Sequence, residues 1–229
     1  MIVIIKYLIK VLVFIIDFSE IWSLIIPLYF SRKQPKSYNL VVFYLWISLL
    51  INILNNTIWI INAENKNLDL SNNFLYNTLS IIRFYIFATF FLKLNQPFFK
   101  TIKKMVPLFF TIFLVINFGF YEDFFDFNNF SSRLLAFEAF CLLFYALQYY
   151  LYEINRDSSE KLITPEFWMV TGLGIYTSFN FFLFLMFAQV TKYFSNIAIY
   201  NIWNFHNISY AIFNILLAKT LYENRKLTS

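Results

Sequence analysis

The chain has 229 residues, 60% of them hydrophobic and 14% charged, with a formal net charge of +5. That balance departs from an ordinary soluble domain, and in a membrane protein the positive excess records lysines on one side of a bilayer, so nucleic-acid binding does not follow. One cysteine (Cys141), one histidine (His206) and three glycines (Gly119, Gly172, Gly174) exclude an internal disulfide, a thiolate or multi-histidine metal site and a phosphate-cradling loop.

Seven apolar stretches are predicted as membrane helices, at about 10–31, 39–62, 74–93, 104–121, 132–152, 167–190 and 198–220. Each is near the length that crosses a hydrocarbon core of about 30 Å at about 1.5 Å per residue. The N-terminal run MIVIIKYLIKVLVFII is not a cleaved leader, because Lys6 and Lys10 interrupt the apolar stretch and Asp17, Glu20 and Trp22 follow it. It joins the first span, where Pro27 is expected to introduce a kink. After a loop holding Pro35, the second span carries Ser48, Asn52, Asn55, Trp59 and Asn62 on one face. The third carries Arg83; Pro97 marks the loop after it, and Pro107 is expected to kink the fourth.

The fifth span continues a stripe of Ser131, Glu138, Cys141, Tyr145 and Gln148. Pro165 is placed for the first turn of the sixth, which offers Thr171, Gly174 and Ser178 for close helix approach. The seventh carries Trp203, Asn204, His206, Asn207, Tyr210 and Asn214. No repeat is visible, and short loops predict antiparallel neighbours. The fold class is therefore all-α, a polytopic seven-transmembrane-helix bundle forming one domain over residues 1–229.

Basic residues predict orientation. One side carries Arg32, Lys33, Lys36, Lys93, Lys100, Lys103, Lys104, Arg156, Lys161, Lys219, Arg225 and Lys226; the other carries Lys6, Lys10, Lys66, Arg133 and Lys192. The positive-inside rule then puts the N-terminus out and the C-terminus in.

The candidate intramembrane polar site comprises Asp17, Glu20, Asn52, Asn55, Arg83, Glu138, His206 and Asn207. A charge at the bilayer centre costs about 2.5–3.5 kcal/mol on insertion scales, so such groups face the bundle or a wet cavity. Arg83 is expected to pair with Glu20 or Glu138. Three acids facing one arginine and one histidine leave a charge that a proton, a cation or a ligand amine must balance. The polar stripes alone point to packing more than to function. Lys219 sits past mid-span as an interfacial lysine and does not suggest retinal attachment.

The segments LLAFEAFCLLFYALQYYLYEI, PEFWMVTGLGIYTSFNFFLFLMF and WNFHNISYAIFNILLAKTLY, with LYNTLSIIRFYIF, resemble a family of uncharacterised bacterial seven-helix integral membrane proteins. Similar helix sets precede cytoplasmic kinase or DNA-binding output domains, so the resemblance implies a sensory or signal-coupling module in a bacterial inner membrane. The partners expected are the lipid bilayer and a separate membrane or cytoplasmic protein. The alternatives are an ion or small-solute transporter or channel, or a structural subunit of a larger membrane complex. No catalytic motif, cofactor or metal is expected.

Overall fold

The computed structural model describes residues 2–64, 70–94, 96, 99–127, 129–155, 164–193 and 196–228. Pro97, Lys66, Arg156 and Lys161, and the side chains of Lys6 and Lys10, lie outside the described residues. The long elements are all helices: α1 (Ile2–Asp17), α2 (Ser19–Phe30), α3 (Asn39–Glu64), α4 (Asn73–Lys93), α5 (Lys100–Ile116), α6 (Ser132–Asn155), α7 (Pro165–Tyr193) and α8 (Asn196–Thr228). Helices α2, α3, α4, α6, α7 and α8 close a ring in that order, with α8 packed back on α2, while α5 lies outside against α4 and α6.

The helix boundaries follow local chemistry. Ser131 precedes α6, and its Oγ accepts the Leu134 N–H at 3.0 Å, the bond a helix N-cap makes. Pro165 opens α7, where its missing N–H leaves no bond unmade. Neither Pro27 nor Pro107 ends its helix. Pro107 has no N–H for the Lys103 carbonyl one turn earlier, and Tyr145 Oη donates to that oxygen at 2.8 Å instead.

The first predicted span is not one helix. It breaks at Phe18, and α2 leaves the axis of the segment Val11–Asp17 at 66°. In an unbroken helix the carbonyls of Ile15 and Ile16 would accept from Ser19 and Glu20. Across the break they accept from Trp22 Nε1 at 2.8 Å and from Asn207 Nδ2 of α8 at 3.3 Å. A side chain inserted into the backbone ladder, not the proline, thus accompanies the bend.

Five helices among the described residues are long and apolar enough to cross a membrane, or six if the bent α1–α2 pair is one span. The seventh predicted span is the difference. Helix α8 has 33 residues, but its sequence is interrupted by Asn, Ser, His and Thr. Several of those side chains are turned inward: His206, Asn207, Ser209, Asn214 and Thr220 are all buried. Outward faces are apolar, with Trp46, Leu50, Val115, Phe182 and Ile215 among the exposed side chains.

The core is largely aromatic. Phe84 stacks on Phe110 at 3.7 Å and Phe91 on Tyr145 at 5.1 Å, while Phe87 meets Phe213 edge-on across the ring at 5.6 Å. Close approach of α7 to α8 depends on Gly172 more than on the expected Gly174. A Cβ at 172 would fall 2.9 Å from Leu216 Cβ, whereas one at 174 would meet Ala146 Cβ at an ordinary 3.6 Å.

Candidate functional site: two ion pairs below an open cavity

The acids, arginine and histidine buried in the ring interior separate into two clusters on facing walls, while the buried Lys103 lies on α5 outside the ring. On α4 and α6, Arg83 and Glu138 form a two-pronged pair, with Nε to Oε1 at 2.5 Å and Nη2 to Oε2 at 2.7 Å. Ser80, one turn before Arg83, donates to Glu138 Oε2 at 2.6 Å. The guanidinium also lies 4.9 Å from the ring centre of Tyr176 on α7, within reach of a cation–π contact. Arg83 is 6% exposed and Glu138 1%. The i, i+3 spacing of Ser80 and Arg83 puts both on one face of α4, opposite the face of α6 that carries Glu138.

The second cluster joins α2, α7 and α8. Glu20 Oε1 lies 3.6 Å from His206 Nε2, beyond an ordinary hydrogen bond. The other imidazole nitrogen, Nδ1, is 2.5 Å from Asn180 Oδ1. The Asn180 amide nitrogen donates to the Tyr176 carbonyl at 2.6 Å and to Ser209 Oγ at 3.3 Å, so the oxygen is the atom that faces the ring. This network assigns the Nδ1 proton. Nε2 is then the imidazole nitrogen that faces Glu20. Asn52 of α3 steadies the α2 backbone by donating to the Glu20 carbonyl at 3.2 Å.

A cavity of about 310 Å³ opens above Glu20. Asp17 and Glu20 supply carboxylates to it, and among the described residues no lysine or arginine lines it. Its walls are Phe18, Trp59, Tyr76, Tyr200 and Trp203. Trp59 (61% exposed) and Tyr200 (42%) stand at the mouth, and Tyr200 Oη donates to Asp17 at 3.0 Å. Asn55 and Asn207 also line it. Asn55 is 2% exposed, yet neither its amide nitrogen nor its oxygen has a protein partner, and Asn207 Oδ1 is likewise unpaired. Below Glu20, a cavity of about 20 Å³ between Glu20, His206, Tyr210 and Arg83 connects the two clusters; its size suits one water molecule.

Of the predicted residues, Glu20, Asn52, Asn55, Arg83, Glu138, His206 and Asn207 are buried in the ring interior. Asp17 sits at the α1–α2 break, partly exposed, at the cavity wall. The end of the polar stripe on α3 departs from the ring interior, since Trp59 is exposed and Asn62 bonds Leu70 at 2.8 Å outside the ring. Sequence reading passed over Asn180, Ser80 and Tyr176. Asn180 had a visible signal as the lone amide in the run FNFFLFLMF, and Ser80 lies one turn from Arg83. Nothing local marked Tyr176.

No group of three or more His, Cys, Asp or Glu among the described residues is arranged to hold a metal ion. Comparison with protein-family models, with curated proteins and with solved structures finds no match to this chain.

Proposed function

We propose that the chain is an integral membrane signal-coupling module of seven passes, with the N-terminus outside and the C-terminus in the cytoplasm, which reads a small ligand in the cavity above Glu20 and passes the change along α8 to a separate protein. Support for seven passes comes from which helix ends meet. The start of α2, the end of α3 and the starts of α4 and α8 line one cavity. The ends of α5 and α7 and the start of α6 line an adjoining one of about 540 Å³ that shares Trp59, Tyr76 and Trp203 with it. Successive helices therefore run in opposite directions, and α8 starts at the same end as its antiparallel neighbour α7 finishes.

The basic residues support the orientation. A cavity of about 240 Å³ at the other end is lined by Lys93, Lys100, Lys103 and Lys104, the side the positive-inside rule assigns to the cytoplasm. Cysteines at position 123 should label from outside intact cells and those at position 33 should not; the reverse pattern would overturn the orientation.

The observation that carries the signalling reading is the Glu20–His206 contact at the cavity floor. His206 belongs to α8, which runs from the cavity to the opposite end of the bundle. Beneath the two clusters the ring is filled by Phe87, Phe91, Phe213, Leu217 and Leu221, none of them exposed. Such a site binds at one end and offers no path through, and a helix in contact with the ligand cavity carries coupling to a second site. A spin label at position 227, in a Cys141→Ala background, tests this. Glu20→Gln should change the label's mobility, and proteoliposomes should show no proton or solute flux. An unchanged label would overturn the reading.

A proton-coupled carrier is the second reading, favoured by the same titratable pair at the cavity floor. Proton flux driven by a solute gradient would establish it in place of signalling.

A further inference from the structure

We propose that the cavity above Glu20 selects a small primary amine in its ammonium form. The inference rests on the ligand-binding reading above and adds the chemistry of the ligand. Arg83 and Glu138 neutralise each other at two hydrogen bonds. Among the described residues, Asp17 and Glu20 are then left with the His206 imidazole as the basic group beside them, and it lies at the floor, not in the cavity wall. The cavity is thus electronegative whenever both carboxylates are ionised.

Its walls fit the same guest. An ammonium over an indole or phenol face gains from the ring quadrupole, by more where water is excluded, and Trp59, Trp203, Tyr76 and Tyr200 surround the space. The acceptors define the head group further. A primary ammonium has three N–H donors, and Asp17, Glu20 and the unpaired Asn207 Oδ1 offer three acceptor positions. A quaternary ammonium would leave them all unmet.

Asn55 is the independent sign of a ligand. Leaving a buried amide without partners costs free energy at both its donor and its acceptor. A guest carrying one hydrogen-bonding group beyond its amine satisfies that amide, and the aromatic walls accept the carbon frame between. The volume of about 310 Å³ lies at the lower end of small-molecule sites. The guest is therefore a monoamine of modest size with a second polar group, not a peptide or a polyamine chain.

The test is calorimetric titration of the full chain in nanodiscs. Tyramine is the primary probe, with its neutral counterpart 4-(2-hydroxyethyl)phenol, tetramethylammonium and sodium chloride as comparisons. Tyramine should bind saturably and at least tenfold more tightly than each comparison. Glu20→Gln should weaken it tenfold or more, and so should Asn55→Leu, which keeps the ring packed and whose thermal transition reports folding; Glu223→Gln, at the far end of α8, should not. No saturable binding of tyramine, equal binding of the neutral counterpart, saturation by sodium alone, or binding unaffected by both cavity substitutions would overturn the proposal. The two readings fail separately. A label at 227 that responds to Glu20→Gln with no amine bound removes the ligand class alone; amine binding that leaves the label unchanged removes signalling alone.

Discussion

Arg83–Glu138 and Glu20–His206 share one ring interior, but the halves of the molecule around them are built differently. Around Arg83 both carboxylate oxygens of Glu138 have short partners, Ser80 adds a third bond, and Phe84 of α4 stacks on Phe110. Around Glu20 the contact with His206 is loose at 3.6 Å, the helix that carries Glu20 has just broken, and Asn55 faces a cavity with no partner. The closed half has little slack and so fixes the bundle. The open half keeps polar capacity unspent, which is what a site for an exchangeable guest requires. Proteins tolerate such local violations of polar pairing chiefly where function needs them.

The largest expected effect belongs to the closed half. Arg83→Ala strands Glu138 and should lower stability in detergent by about 3–5 kcal/mol, the cost of breaking a buried pair at one end. Thermal or steric-trap unfolding measures it; a loss near that of an exposed pair, about 0–1 kcal/mol, would put the closed half on the same footing as the open one.

Gly172→Ala comes next. The new methyl meets α8 backbone as well as Leu216, so the helices must part, at an overpacking cost of about 1–3 kcal/mol. Gly174→Ala, with room for its methyl, should be neutral or stabilising, since Ala exceeds Gly in helix propensity by about 1 kcal/mol. Equal losses at the two glycines would show that Gly172 has no special place in the packing of α7 on α8.

In the open half the sign reverses. Asn55→Leu removes an unpaired buried amide and should leave stability unchanged or raise it by about 1 kcal/mol, whereas Asn52→Leu, which loses the bond to the Glu20 carbonyl, should lower it. A clear loss for Asn55→Leu would mean that the protein itself uses that amide.

The smallest effect lies beyond both halves. The Lys219 ammonium, 2.6 Å from Glu223, holds that carboxyl below its ordinary value of 4.5. A lowered folded value gives stability that is present above the ordinary one and lost as pH falls through the folded one. The difference in thermal transition between the wild type and Glu223→Gln should therefore be small at neutral pH and close on acidification. A difference that widens in acid would contradict the pairing.

Helix placement was legible because apolar runs of membrane length leave few alternatives. Arg83 and Glu138 were legible as candidates, since a charge deep in such a run has to find a partner. Which acid pairs with Arg83 was not, because helical period fixes the face of each helix but not which helices are neighbours. Placing α4 beside α6, with α5 outside, decides for Glu138. The break at Phe18 was hidden for a similar reason: no proline marks it, and the groups that take up the freed carbonyls are Trp22 and the distant Asn207. The low hydropathy of α8 comes in part from side chains that the ring buries, such as His206, Asn207 and Asn214.

The two pairs differ in strength, and double-mutant cycles measured side by side in one detergent read the difference. The cycle of Arg83→Ala with Glu138→Gln should give a coupling of several kcal/mol, with the double variant recovering much of the single loss, since truncating one partner leaves the other charge buried. The cycle of Glu20→Gln with His206→Gln should give about 1 kcal/mol or less. Equal couplings, or a larger one for Glu20–His206, would contradict the division into a closed half that fixes the bundle and an open half that is free to respond.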